Sequence, residues 1–397
     1  MKNYFFKYLL AFFILFIPFI FTSCVKTPDI PAFKSSKSLP KYDQENFDLY
    51  LSETKKWLLE NRNFITENKN QELDLVMPFE LKPNNSSSKK AILLVHGLTD
   101  SPAYYKDISK VFTNNGFLVR TILLPGHISK PADLMLPSLK DWENVVKHHI
   151  NLLKKENYEI WLGGFSTGAN LVTSYAIDDK SIKGLYLFSP GFYSKSKVIV
   201  FSPFVSYFMD WLDIDEENNI LKYESMPMNA VNLYYKTTLK VQEKFQNKVF
   251  DRPAFFVFSK DDSVIDYEKT VHIFHKKFTN EKSKFILYAN INETKEEMKN
   301  LLDNKRFKVY NSYLPEKRIS NFSHLSVMFS KDNAYYGENG NYIMLNNGQK
   351  DKKFISRNKT WFSSWGYNVD GIYHARLTWN PYFNELKNDI NEFLKDE

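Results

Sequence analysis

With 397 residues, 43% of them apolar and 25% charged, the chain has the composition of a folded protein with a large core, which excludes a wholly disordered polypeptide. Its net charge of +7 is mild and its lysines are scattered in pairs, which argues against nucleic-acid binding and for a solvated surface with some affinity for anionic lipid head groups. The single cysteine, Cys24, excludes an intramolecular disulfide framework.

Lys2 and Lys7 precede an uncharged apolar run, residues 8–21, which is followed by Thr22, Ser23 and Cys24. This is the anatomy of a signal peptide over residues 1–23, and the run is shorter than the roughly 20 apolar residues a membrane span needs. Phe21-Thr22-Ser23-Cys24 resembles a bacterial lipobox, although Phe21 stands where an aliphatic residue is usual. That resemblance implies acylation of Cys24 and an exported, membrane-anchored lipoprotein on an outer membrane or periplasmic face. Removal of Lys2 and Lys7 would lower the net charge from +7 to +5. Residues 24–41, rich in Pro, Ser and Lys, read as a tether, and residues 42–397 as the catalytic body.

Phe47, Leu51, Thr54 and Leu58 recur at helical spacing within residues 42–62. Residues 73–81 then read as a strand and residues 83–88 as a turn. From there short apolar runs at residues 91–95, 118–124, 159–162, 185–188 and 254–258 alternate with helical patterns at 103–114, 139–155 and 167–177. Continuous rather than alternating hydrophobicity implies strands buried on both faces, hence a doubly wound, mostly parallel α/β sheet. Residues 191–250 interrupt the alternation and read as a cap insertion, whose aromatic stretch at 198–212 could shape an acyl pocket. Residues 290–306 read as an exposed charged helix, 331–358 as a polar loop, and Leu386, Ile390, Phe393 and Leu394 as one face of a final helix.

Within the run at 159–170 lies Gly164-Phe165-Ser166-Thr167-Gly168, a G-x-S-x-G turn in which strand and helix must approach closely around the serine. A serine hydroxyl needs a histidine base and a carboxylate to orient that base. Asp261 and Asp262 follow the apolar run at 254–258, and Asp262 is favoured because it stands two residues before Val264-Ile265. Of the histidines after Ser166, His272 and His275 fall on a lysine-rich helical pattern and His374 in an extended stretch. His324 sits in a short loop of small polar residues and is the candidate base. His96-Gly97-Leu98 follows the first long buried run, so the Leu98 and Thr167 backbone N–H groups are the candidate oxyanion donors. His148 and His149 are adjacent on a helix without evident co-ligands, and metal chemistry is not suggested.

These residues, with Leu124-Pro125-Gly126-His127, resemble the α/β-hydrolase superfamily in its carboxylesterase and monoglyceride-lipase-like branch over roughly residues 75–395. The resemblance implies a serine ester hydrolase that needs no cofactor, works through Ser166, Asp262 and His324, and selects the acyl chain of a small-molecule or lipid ester with its cap. An amidase, peptidase or thioesterase on the same triad remains open, as does a non-catalytic lipoprotein. The long spacing from Asp262 to His324 leaves the last sheet strand open between residues 284–288 and 307–314.

Overall fold

The computed structural model describes residues 27–83, 88–349, 354 and 356–395. The proposed signal peptide, Cys24 and part of the turn at 83–88 lie outside the described residues. Eight strands form one sheet: β1 (Glu80–Leu81), β2 (Lys90–Val95), β3 (Phe117–Ile122), β4 (Glu159–Phe165), β5 (Leu185–Phe188), β6 (Ala254–Ser259), β7 (Lys284–Tyr288) and β8 (Phe307–Tyr310). Their order is β1-β3-β2-β4-β5-β6-β7-β8, with only β1 antiparallel to its neighbour. This is an α/β-hydrolase fold. Both candidates for the last strand belong to the sheet: Phe285 and Phe307 are register partners, and the short helix Glu296–Leu302 crosses between them.

The runs of apolar residues form strands because both faces are covered. Along β2, Leu93 and Val95 join one core layer while Ile92 and Leu94 join the other. The first layer is built with helices α1 (Phe47–Asn61), α2 (Leu139–Lys155), α3 (Thr167–Asp178) and α4 (Met228–Asn247); the second is built with Lys106–Asn114, the C-terminal helix Phe383–Lys395 and the irregular segment at 311–382. Asn46 caps α1 by accepting from the Leu49 amide, and Ser138 and Asp141 form a capping box on α2.

Residues 73–81 are not one strand. Lys69–Val76 is a helix, followed by the two-residue β1. The buried Glu72 carboxylate accepts from the Ile65 and Thr66 amides, from the Thr66 hydroxyl and from Arg62, and this polar knot fixes the helix. Residues 290–306 likewise differ from a fully exposed helix: Met298 and Leu302 are buried against the first layer. Segment 331–349 is no free polar loop. The Tyr335 hydroxyl accepts from the Ile220 amide at 2.9 Å and the Tyr336 hydroxyl from Asn219 Nδ2 at 2.7 Å, so it braces the insertion between β5 and β6.

Three buried histidines couple the fold to pH. His149 is fully buried between Phe47 and Tyr50, and neither ring nitrogen has a hydrogen-bond partner among the described residues; burial first, then the neighbouring His148 and Arg120 charges, hold its pKa well below 6.5. Burial lowers His96 to about 4 and takes His127 well below 6.5. The folded chain keeps these rings neutral while the unfolded chain binds protons below about pH 6.5, so their contribution is complete above that pH and is lost as pH falls. Each ring should remove up to about 1.4 kcal/mol of stability per pH unit in that window. Denaturant midpoints between pH 7 and pH 4.5 check this: the slope should flatten in His149→Leu, and an unchanged slope counts against it.

Candidate active site

Ser166 occupies the turn from β4 into α3 at φ 52° and ψ −115°, a conformation that costs energy for any residue with a Cβ. The two glycines around it are required by contact. A Cβ on Gly168 would stand 2.0 Å from the Val95 carbonyl oxygen, and one on Gly164 would stand 2.4 Å from the Ala169 nitrogen. Strand and helix thus meet backbone to backbone and lift the serine to the carboxyl end of the sheet. Gly191, at the start of the insertion, donates its amide to the Ser166 carbonyl at 3.2 Å, and Ser166 is only 7% exposed.

Asp262 lies in the loop after β6. One of its oxygens accepts from the Val264 and Ile265 amides at 2.7 and 2.9 Å, and the other meets His324 Nδ1 at 2.5 Å. Its neighbour Asp261 turns elsewhere and accepts from the Ser312 hydroxyl, its carboxyl pushed up by burial. Of the two adjacent aspartates, Asp262 is the one that reaches an imidazole.

The His324 loop is stapled to the sheet by serine hydroxyls. Ser189, just past β5, donates to the His324 carbonyl at 2.9 Å; Ser259, ending β6, donates to the Phe322 carbonyl at 2.9 Å. Ser323 donates to the Leu377 carbonyl at 2.6 Å. The Phe165 ring lies 4.9 Å from the imidazole centroid, which places the ring beside the residue preceding Ser166. No hydrogen bond among the described residues joins the Ser166 hydroxyl to His324, and such bonds often tighten only when substrate is in place. Two of the other late histidines are occupied elsewhere: His374 is buried and paired with the Ser320 hydroxyl, and His275 meets the Leu301 carbonyl.

Across from Ser166, the Gly97 carbonyl accepts from His96 Nδ1 at 2.8 Å, while His96 Nε2 accepts from the Leu124 amide at 3.0 Å. This neutral ring braces the turn that carries Leu98. Neither the Leu98 nor the Thr167 amide has an acceptor among the described residues, and Thr167 is the first residue of α3, where N–H groups have no intrahelical partner. An acyl group on Ser166 would find two free donors there.

Sequence reasoning missed Asp100. It is 4% exposed, and its Oδ2 lies 2.4 Å from where a Gly97 Cβ would be, a point only 3.2 Å from Ser166 Cβ. Burial pushes its carboxyl up to about 6 against the pull of the Lys222 ammonium. Ser189 and Ser259 were missed as well, because lone serines after apolar runs carry no pattern. Among the described residues no group of three or more His, Cys, Asp or Glu side chains could hold a metal ion.

The stretch Val198–Leu212 differs from a pocket lining. Trp211 is buried, but Val198, Phe201, Phe204, Tyr207, Phe208 and Leu212 point into solvent. The insertion turns its apolar stripe outward because its inner side is already filled by α4, which packs on α3 through contacts such as Asn170 with Thr237.

A family model described as serine aminopeptidase, S33, matches residues 86–222. The chain is similar to a carboxylesterase of Bacillus subtilis (strain 168), 24% identical over 214 residues that make up 52% of this chain and 83% of the relative. Among solved structures it resembles a metagenome-derived lipolytic enzyme, at 19% identity and TM-score 0.47 over 54% of this chain and 88% of that one. It also resembles a soluble variant of monoglyceride lipase from Saccharomyces cerevisiae, at 13% identity and TM-score 0.44 over 54% of this chain and 82% of that one. Fold and family likeness together define the class: an α/β-hydrolase of the serine-hydrolase kind. Within that class the sequence likeness is to a carboxylesterase relative and to a family described as serine aminopeptidases.

Proposed function

We propose that the protein is a serine carboxylic-ester hydrolase acting through Ser166, His324 and Asp262. The observation that carries this reading is the 2.5 Å contact of Asp262 with His324 Nδ1 in a loop stapled beside the strained Ser166 turn. With Nδ1–H donated to Asp262, Nε2 is left free to accept the Ser166 proton as Oγ attacks the ester carbonyl. The Leu98 and Thr167 amides hold the oxyanion. The imidazolium then protonates the departing alcohol, and a water, deprotonated by the same ring, releases the acid. Substrates are small-molecule or lipid esters, and Cys24 is the lipidation site that anchors the exported protein to a membrane.

The family description favours a second reading, hydrolysis of an amide or peptide on the same residues. A matched pair of aryl ester and aryl amide with one acyl group separates the two. The ester should turn over at least about 100-fold faster, a difference of about 2.7 kcal/mol in activation free energy. Comparable rates on the amide would overturn the esterase reading while leaving the triad in place.

A further inference from the structure

The insertion between β5 and β6 carries the most exposed apolar surface among the described residues. Tyr207 is 85% exposed, Val198 71% and Phe208 68%, and the Phe204 and Phe208 rings stand 5.0 Å apart with solvent above them. No charged residue occurs from Val198 to Met209. Isolated exposed apolar residues are ordinary, but a run of this kind on one short segment marks a surface that meets something apolar.

What it meets follows from where the N-terminal arm lies. Phe33 packs edge-on against Trp211 at 5.2 Å, directly beside exposed Leu212, and Ser36 fastens the arm by donating its amide and hydroxyl to Asp133 at 2.6 and 2.9 Å. Upstream of that point the chain carries the uncharged run at 8–21 and then Cys24. Eight residues lie between Cys24 and Phe33, so the two are at most about 30 Å of chain apart. Whatever holds the N-terminal segment therefore lies within that reach of the aromatic face. We propose that residues 198–212 seat in the lipid–water interface of a membrane, on the side from which the N-terminal segment leaves. Lys195 and Lys197 border the face at one end and Asp210, Asp213 and Glu216 at the other, so the border has no single sign and the lipid the face fits is zwitterionic or neutral, held by apolar burial and not by charge.

The same insertion reaches the catalytic loops. Lys195 donates its amide to the Val264 carbonyl and its Nζ to the Asp262 carbonyl. Seating the face in lipid would thus bring the Asp262 loop toward the bilayer and present lipid-borne esters to Ser166 from that side. This last step rests on the esterase reading; the docking itself does not.

Because Cys24 is the only cysteine, a Cys24→Ser full-length chain accepts one reporter at a chosen site. A polarity-sensitive fluorophore on Tyr207→Cys should brighten several-fold and shift to the blue with phosphatidylcholine vesicles. The same fluorophore on Lys183→Cys, before β5 at the opposite end of the sheet, should not respond. Phe201→Ser/Phe204→Ser/Phe208→Ser should keep its turnover of a water-soluble short-chain ester and lose several-fold on a vesicle-borne ester. An unresponsive Tyr207 probe overturns the proposal. So does one already blue without vesicles: persistence on dilution would mean that the chain's own apolar run covers the face, and loss on dilution that a second copy does. Loss of soluble-ester turnover in the triple variant also overturns it, assigning those rings to the acyl pocket. Fluorophosphonate labelling of the same samples keeps the two readings apart, since a probe that enters lipid on a chain that does not label defeats only the esterase assignment.

Discussion

Ser166→Ala is expected to lose fluorophosphonate labelling completely and to lower kcat on an activated aryl ester by about 10⁴- to 10⁶-fold, the range seen when a triad nucleophile is removed. The residue at φ 52° keeps a Cβ in the variant, so the strain of the turn is unchanged and the thermal midpoint should stay near that of the parent. Residual turnover should come from the two amides and binding alone. Undiminished ester hydrolysis together with retained labelling would show that the nucleophile is elsewhere, and the whole constellation would fall with it.

The second large effect separates two neighbours. Asp262→Asn should lower kcat/KM by about 10⁴, because an amide facing His324 Nδ1 favours the tautomer whose Nε2 carries the proton and cannot accept one. Asp261→Asn should leave kcat/KM close to the parent value, since that side chain meets Ser312 and not the imidazole. Both variants keep the size of the side chain, and the Val264 and Ile265 amides retain an oxygen to donate to in Asp262→Asn. Steady-state kinetics on one soluble ester, with labelling rates as a second readout, decides the matter. Equal losses in both variants would remove the assignment.

Much of this was legible in the sequence for a definite reason. Strands such as β2 and β6 are buried on both faces, so every residue but the end ones Lys90 and Ser259 is apolar, and the break at Gly164–Gly168 announces a backbone contact that only glycine tolerates. The candidate serine, acid and histidine could be ordered because each follows a recognisable strand or loop. What was not legible depended on partners far away in the chain. The helix Lys69–Val76 is set by Glu72 reaching back to residues 62–66, and periodicity has no term for that. The last strand, left open between residues 284–288 and 307–314, is β8, and β7 is its neighbour, since Met298 and Leu302 turn a charged segment into a crossover that lets both pair. The aromatic stretch at 198–212 had the composition of a lining, but which way it faces is decided by α4 filling the space beneath it.

The serine staples on the His324 loop bear on how activity begins during synthesis. Ser189 and Ser259 emerge from the ribosome long before the carbonyls they hold, those of His324 and Phe322, and Ser323 is itself fastened to Leu377. A chain made through the loop after β6 already has its nucleophile turn and its acid loop, yet with His324 as the proposed base it has no group to activate the serine. Loop closures over such sequence distances are slow compared with the local folding of helices and turns. On the proposed triad, the nascent protein would pass through synthesis chemically silent and become a hydrolase only when the segment carrying His324 docks.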